Sequence, residues 1–162
     1  MSQTSNAVAN RSADTSTRQY LTFQLDGEEY GVGIQTVQEI RGWSSVTTLP
    51  ESPEWVLGVM DLRGSVVPVI DLRRRLALTP TTFGPATVVI VIRVELAADN
   101  QIIGLVVDAV SEVCDVNENQ LHKMPEIGSL ASSEMVQSLA HLDGKTIILL
   151  DADRLVSGQQ MH

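Results

Sequence analysis

An all-β fold is predicted for this chain, as two small barrels in close contact with a few short helical turns. Three observations predict it. The 162 residues are 43% hydrophobic but only 4% aromatic, so the apolar material is mostly Val, Ile and Leu, of which the β-branched types favour strands. Short apolar runs alternate with turn dipeptides such as Asp26-Gly27 and Asp143-Gly144, the chemistry of tight hairpins. Finally, the chain repeats itself. Tyr30 to Ile40 matches Ile103 to Val113 at an offset of 73, and Gly64 to Asp71 matches Gly144 to Asp151 at an offset of 80. The second match runs on to Arg74 and Arg154. A unit of about 70 residues made of short strands is marginal alone, so two such units are expected to bury a shared face.

Residues 1–17 are rich in Ser, Thr, Asn and Ala and are read as a disordered tail. Order is expected from Tyr20, where Leu21, Phe23 and Leu25 alternate onto one face. Asp26-Gly27 turns the chain into a return strand through Glu29-Tyr30-Gly31, and Ile34, Val37 and Ile40 follow at the spacing of a helical turn. A single turn is expected at Pro53-Glu54-Trp55. Val59 to Asp71 reads as two strands joined at Arg63-Gly64, with Pro68 marking the second as an edge or a bulge. Thr79 to Pro85 is the best linker. Beyond it come a strand at Val88–Val94, a turn at Ala97–Asn100 and a return strand at Ile102–Val107. A polar excursion follows over Asn117–Ser133, with a helical turn expected at Ser132–Ser138. One domain over residues 18–156 is therefore expected, with repeat-related subdomains at about 18–78 and 86–156 that could exchange strands. Residues 157–162 are expected to fray.

The formal net charge of −9 repels a phosphate backbone, which argues against nucleic acid as a partner. The sequence has neither an apolar signal region at its start nor a run of about 18 apolar residues, so no direct membrane insertion is expected and the cytoplasm is the default address. A lone cysteine, Cys114, excludes an intrachain disulfide and reads as an inert thiol. His122, His141 and His162 lack metal-ligand spacing, so neither metal nor cofactor is expected.

Apparent catalytic motifs dissolve on inspection. Gly31-Val32-Gly33 has Thr36 where a dinucleotide fingerprint needs its third glycine. Gly144-Lys145-Thr146 has Leu139 where a phosphate loop needs its first. Asp71 and Asp151, related by the repeat, stand where a strand gives way to a helical turn and read as helix caps rather than paired acids. The run Arg73-Arg74-Arg75 forms a positive patch in an acidic chain, read as a solvated face with some scope for binding. Trp43 and Trp55 lie among Gly, Pro and polar residues, as core fillers or interface anchors. With no nucleophile, base or metal in convergent positions, no enzyme is expected.

The most tightly specified stretch is Trp55 to Leu76, WVLGVMDLRGSVVPVIDLRRRL. Together with Glu29-Tyr30-Gly31, Val37 to Gly42, Gly104 to Asp108 and Asp143 to Asp151, it resembles the CheW-type chemotaxis coupling proteins over Tyr20 to about Val156. The family pattern usually carries Asn where this chain has Asp61. The resemblance implies two intertwined, five-stranded, SH3-like barrels and a non-enzymatic adaptor. Such an adaptor would link the cytoplasmic tip of methyl-accepting chemoreceptors to the regulatory domain of a CheA-type histidine kinase, reaching membrane-bound arrays through those partners. The family's receptor-binding region maps onto Glu39, Gly58 and Arg63, with Asp61 beside them, and its kinase-binding surface onto Leu21, Ile34 and Val37. Arg63 offers a planar fork for a carboxylate or carbonyl oxygens, and Gly58 allows close approach of a helix. A coupling protein of a non-flagellar array, serving surface motility, biofilm or a second messenger, is the alternative. Within the opening stretch, Gly64 to Asp71 recurs at Gly144 to Asp151, so the functional expectation narrows to Gly58, Asp61 and Arg63.

Overall fold

A computed structural model describes residues 17–96, 99–123 and 133–156. The expected tail up to residue 16, the frayed end from 157, Ala97-Ala98 of the expected turn, and residues 124–132 of the polar excursion lie outside the described residues.

The strands are β1 (Thr17–Leu25), β2 (Glu28–Gly33), β3 (Val37–Gly42), β4 (Val56–Leu62), β5 (Ser65–Asp71), β6 (Val88–Leu96), β7 (Asp99–Val107), β8 (Ala109–Asn117), β9 (Leu121–His122), β10 (Val136–Leu142) and β11 (Lys145–Leu150). Two short helices, α1 (Leu72–Arg75) and α2 (Ala152–Val156), follow β5 and β11. The strands form two sheets. One, in the order β3-β6-β7-β5-β4, we call the central sheet; the other, β9-β10-β11-β2-β1-β8, holds the first and last described strands and is the terminal sheet.

Each sheet takes its first hairpin from one repeat and its later long strands from the other. β5 lies parallel to β7 with Val69 opposite Gly104, and β11 lies parallel to β2 with Leu149 opposite Gly31. The offsets of 73 and 80 carry one pair onto the other, so the duplicated units have swapped hairpins in register. The chain passes between sheets at Gly33–Val37 and at Asp108, whereas the linker at Thr79–Pro85 joins β5 to β6 within the central sheet.

Both of these matching positions need glycine, Gly104 against the antiparallel neighbour β6 and Gly31 against its parallel partner β11. A Cβ on Gly104 would lie 2.8 Å from Val89 Cγ1, and one on Gly31 would lie 3.0 Å from Leu149 Cδ2. Three hairpin turns put both central residues at positive φ, as two-residue type I′ turns do: Asp26-Gly27, Arg63-Gly64 and Asp143-Gly144. Helix α1 starts where the Asp71 carboxylate accepts the Arg73 N–H at 3.1 Å, and Asp151 accepts the Asp153 N–H at 3.1 Å ahead of α2. The capping role read for both aspartates is thus what the backbone uses.

The main core lies between the sheets and draws on both, with Phe23, Leu25 and Val32 from one side and Ile70, Ile90 and Leu105 from the other. A smaller cluster fills each sheet's own concavity, around Tyr20, Ile147 and Leu149 in the terminal sheet and Val69, Val89 and Val91 in the central one. Fully burying one such side chain contributes about 1.5–3 kcal/mol, so the shared core holds the two units together.

Several local expectations shift. Strand β1 begins at Thr17, three residues before Tyr20, because Thr17–Gln19 pair with Asp115–Asn117 of β8, a partner that local patterning does not show. The helical turn after Gly33 is confined to Ile34–Thr36, and Val37 and Ile40 belong to β3. The second helical turn is likewise short, Ser133–Met135, with strand β10 from Val136. The single turn expected at Pro53 to Trp55 is present, closed by the Val56 N–H donating to the Pro53 carbonyl at 3.0 Å.

Pro68 sits in an interior strand. Val59, opposite it in β4, spends its N–H and C=O on Thr47, so the Val59–Pro68 pair exchanges no hydrogen bonds. The missing Pro68 N–H therefore faces β7, whose pairing with β5 begins only at Val69. The proline removes no ladder bond.

Among the described residues neither hydrogen-bonded ladder closes into a complete ring: β3 and β4 are the edges of the central sheet, β9 and β8 those of the terminal sheet. Across the gap between β3 and β4 the chain makes an isolated two-bond bridge, Thr47 with Val59. In the terminal sheet the matching place is taken by the two residues of β9, which pair with Ala140 and Leu139 of β10. Apart from that two-residue strand each sheet has five strands.

Candidate functional site

The central sheet's seam brings together two of the four residues mapped to the receptor side. Glu39 on β3 and Arg63 in the β4–β5 turn meet across it, with Arg63 Nη1 donating to Glu39 Oε1 at 2.6 Å. Arg41 Nη1 donates to the other oxygen at 3.2 Å. The hydrogen bond from Arg63 is the largest influence holding the Glu39 carboxyl below the usual carboxylate range, and Arg41 adds to it. Glu39 is 22% exposed but Arg63 is 73% exposed. A guanidinium has five N–H donors, so most of that fork faces solvent while Glu39 fixes its direction.

Arg63 also carries a backbone cost. It occupies the left-handed region, φ 51, at a turn position where the other two hairpins place aspartate. Asp and Asn tolerate that region through local hydrogen bonding and arginine does not.

Gly58 is buried at φ +150, and a Cβ there would lie 2.1 Å from the Thr47 carbonyl oxygen. The close approach it permits in this chain is that of Thr47, itself one side of the bridge that spans the seam, with Val59 next to Gly58 as the other side. Asp61 is exposed on β4 opposite Val66, which is itself the most exposed large apolar side chain described. Beside them a cavity of about 430 Å³ is lined by Leu62, Arg63, Val66, Pro68 and Ile102.

The residues mapped to the kinase side lie elsewhere. Leu21 on β1 is only 3% exposed and belongs to the core between the sheets. Ile34 and Val37 flank the crossing from β2 to β3 and are half-buried against the same core. They form a short apolar ledge, with Leu21 supporting the core behind it.

The arginine run is not a free positive patch. Arg73 makes a bidentate bridge to Asp108, Nε to Oδ1 at 2.9 Å and Nη2 to Oδ2 at 2.6 Å. Arg74 lies 3.3 Å from Asp71, and Arg75 stacks 4.8 Å above the Trp55 ring while its Nε donates to the Leu155 carbonyl. Both tryptophans serve internal packing, Trp43 meeting Phe83 edge-on at 4.6 Å. Cys114 is half-buried, and burial together with Glu112, Asp115 and Glu29 pushes its thiol up. Among the described residues no group of three or more His, Cys, Asp or Glu could hold a metal ion, and no helix is long and apolar enough to cross a membrane.

Sequence reasoning named Asp108 only within the Gly104 to Asp108 block and Arg73 only within the arginine run, and gave Thr47 no role. The repeat carried a signal for the first two: their counterparts are Gln35 and Asp153, a change of charge at both positions. Nothing in the sequence marks Thr47, whose role comes from Gly58 opposite.

A duplicated, hairpin-swapped β scaffold thus carries, at one seam, an arginine aimed by Glu39 with most of its donors facing solvent. The CheW-like domain model matches residues 19–160. The chain is 36% identical over 154 residues to the chemotaxis protein CheW of Klebsiella aerogenes, covering 95% of this chain and 90% of that protein. It is 35% identical over 151 residues to a probable chemotaxis protein CheW of Rhizobium etli, covering 93% and 95%. The crystal structure of the scaffolding protein TtCheW from Thermoanaerobacter tengcongensis superposes with a TM-score of 0.77 at 32% identity, over 89% of this chain and 97% of that one. This chain belongs to the CheW-like family.

Proposed function

We propose that this CheW-family chain is a two-sided adaptor of a chemotaxis array, joining the cytoplasmic tip of methyl-accepting chemoreceptors to the regulatory domain of a CheA-type histidine kinase. The observation that carries the reading is Arg63. A long cationic side chain stands in a left-handed turn that favours Asp or Asn, is held by Glu39, and leaves most of its donors free. Its fork suits carboxylate or carbonyl oxygens on a receptor helix. Asp61 and Val66 extend the contact along β4 and β5, and Gly58 acts from beneath by seating Thr47.

The kinase takes the ledge of Ile34 and Val37, with Leu21 holding the core behind it. An apolar contact of this kind matches a partner barrel of similar build. The adaptor works on the cytoplasmic side of the membrane and reaches the array through its partners. It acts by position and turns over no substrate.

The test is a pull-down with kinase regulatory-domain and receptor-tip fragments, separately and together. Arg63→Ala is expected to lose the receptor fragment and keep the kinase fragment, and Ile34→Glu or Val37→Glu the reverse. A wild-type chain that retains neither fragment removes the reading.

A further inference from the structure

The candidate receptor face lies on the central sheet, while the kinase ledge sits at the crossing into it, with Ile34 just before β3, Val37 on β3 and Leu21 of the terminal sheet behind, so the angle between the sheets bears on how that ledge is backed. Hydrophobic burial between them is strong but non-directional and tolerates small sliding. A directional tie is found at Asp108, the single residue between β7 and β8 where the chain leaves the central sheet for the terminal one.

Arg73, from α1 beside the central sheet, grips both Asp108 oxygens and is itself only 14% exposed. Its Nη1 donates to the Thr79 carbonyl at 2.7 Å and lies 3.7 Å from the Asp26 carboxylate in the β1–β2 turn. Asp108 Oδ2 also accepts the Asp26 N–H at 2.9 Å, and the Asp108 N–H donates to the Gln24 carbonyl at 3.1 Å. One guanidinium thus holds the linker, the crossing residue and a hairpin of the opposite sheet.

The other half ties its hairpin more simply. There the Glu95 N–H of the β6–β7 hairpin is accepted directly by Asp153 of α2 at 2.9 Å, with neutral Gln35 at the crossing. Beside Gln35 a cavity of about 430 Å³ opens along Gly33, Ala152 and Asp153, where the repeat partners Val106 and Leu72 are buried side chains. One crossing is clamped and filled; its twin has a single carboxylate contact and space.

We propose that Arg73 is a positioning residue: its bidentate bridge to Asp108 sets the angle between the two sheets. Charge alone does not suffice, since two parallel N–H···O bonds fix direction as a point charge cannot. The consequence for partners rests on the adaptor reading above. With the angle set, the receptor face and the kinase ledge are held in one relation before either partner binds.

The test needs no partner. Spin labels on exposed Gln101 of the central sheet and His141 of the terminal sheet, each replaced by Cys in a Cys114→Ser background, report the inter-sheet distance. Arg73→Ala, Arg73→Lys and Asp108→Asn are each expected to broaden the distribution about two-fold or more, while Asp153→Asn leaves it narrow. Arg73→Lys and Asp108→Asn carry the test should Arg73→Ala not fold. Native circular dichroism with an unchanged distance width in both overturns the proposal. The adaptor reading fails separately, when the wild type binds neither fragment.

Discussion

In the central sheet the edge strand β3 and the β4–β5 turn meet through Glu39 and Arg63; in the terminal sheet the same repeat positions are Glu112 and Asp143. Two acids cannot make that contact, and there the gap is spanned by backbone pairing of β9 instead. Bulges fall at matching places in β4 and β10, between Val56 and Gly58 and between Val136 and Ser138. The N–H groups of Asp71 and Asp151 donate to the Trp55 and Met135 carbonyls at 2.8 and 2.9 Å. What recurs in both halves is what any barrel of this build needs. What occurs in one half alone is Gly58 under Thr47, the Arg63 fork and the Arg73 bridge, and these are the features a partner could read.

Gly58→Ala is the most severe way to break that difference. It places a side chain at φ +150 with Cβ 2.1 Å from the Thr47 oxygen, so the bridge must separate. A loss of about 3 kcal/mol is expected in denaturant unfolding. Ser138→Ala, at the counterpart position, should change stability by less than about 0.5 kcal/mol. Equal losses would mean that the seams are built alike.

The two repeat-related glycines give a finer contrast. Gly104→Ala pushes on the Cγ1 of Val89, a β-branched side chain with little freedom at χ1. Gly31→Ala meets the terminal methyl of Leu149, which can turn away. Overpacking is expected to cost about 2 kcal/mol in the first and about 1 kcal/mol in the second. Thermal unfolding of the two variants side by side checks the ranking.

Much of this scaffold was legible. Turn dipeptides, the repeat and the aspartate caps are local signals, and each stands where local chemistry put it. Hairpin exchange is different in kind. A repeat says that two units are alike, but Gly31 fits against Leu149 for the same reason that Gly104 fits against Val69, so partner choice depends on tertiary packing. The three arginines misled for a related reason: a charge run looks solvated until the fold supplies Asp108, Trp55 and Leu155 as neighbours. At the candidate site, the pairing of Glu39 with Arg63 needs β3 and the β4–β5 turn to be neighbours, which spacing along the chain does not reveal.

Acid separates the clamped crossing from its twin. Burial alone would push the Asp108 carboxyl up, but the Arg73 guanidinium and the Asp26 N–H outweigh it and hold the group below its usual range. A lowered folded pKa contributes stability that is complete above the unfolded value, about 4, and lost as pH falls through the folded one. The stability difference between wild type and Asp108→Asn should therefore be flat above about pH 5, at about 1–2 kcal/mol, and vanish in strong acid. Asp71 works in the opposite sense, because burial raises its carboxyl against the pull of Arg74 and Arg73. Its contribution is largest below the unfolded pKa and fades as pH rises through the folded one. A difference that grew on acidification would contradict the Asp108 assignment.

Arg63→Asn has the smallest structural effect and separates function from fold. Asparagine accepts the left-handed turn that arginine occupies at φ 51, so the turn itself should gain about 1 kcal/mol. A residue kept only for folding would not be replaced to advantage. Receptor-fragment affinity should nevertheless fall by about ten-fold or more, because no other donor stands at the end of that turn with Glu39 to aim it. At the counterpart turn Asp143→Asn keeps both the turn preference and the absence of a fork, so neither stability nor partner binding should move. A stabilised Arg63→Asn variant that binds receptor fragment as well as wild type would move the receptor face away from the seam and leave its asymmetry to some other partner.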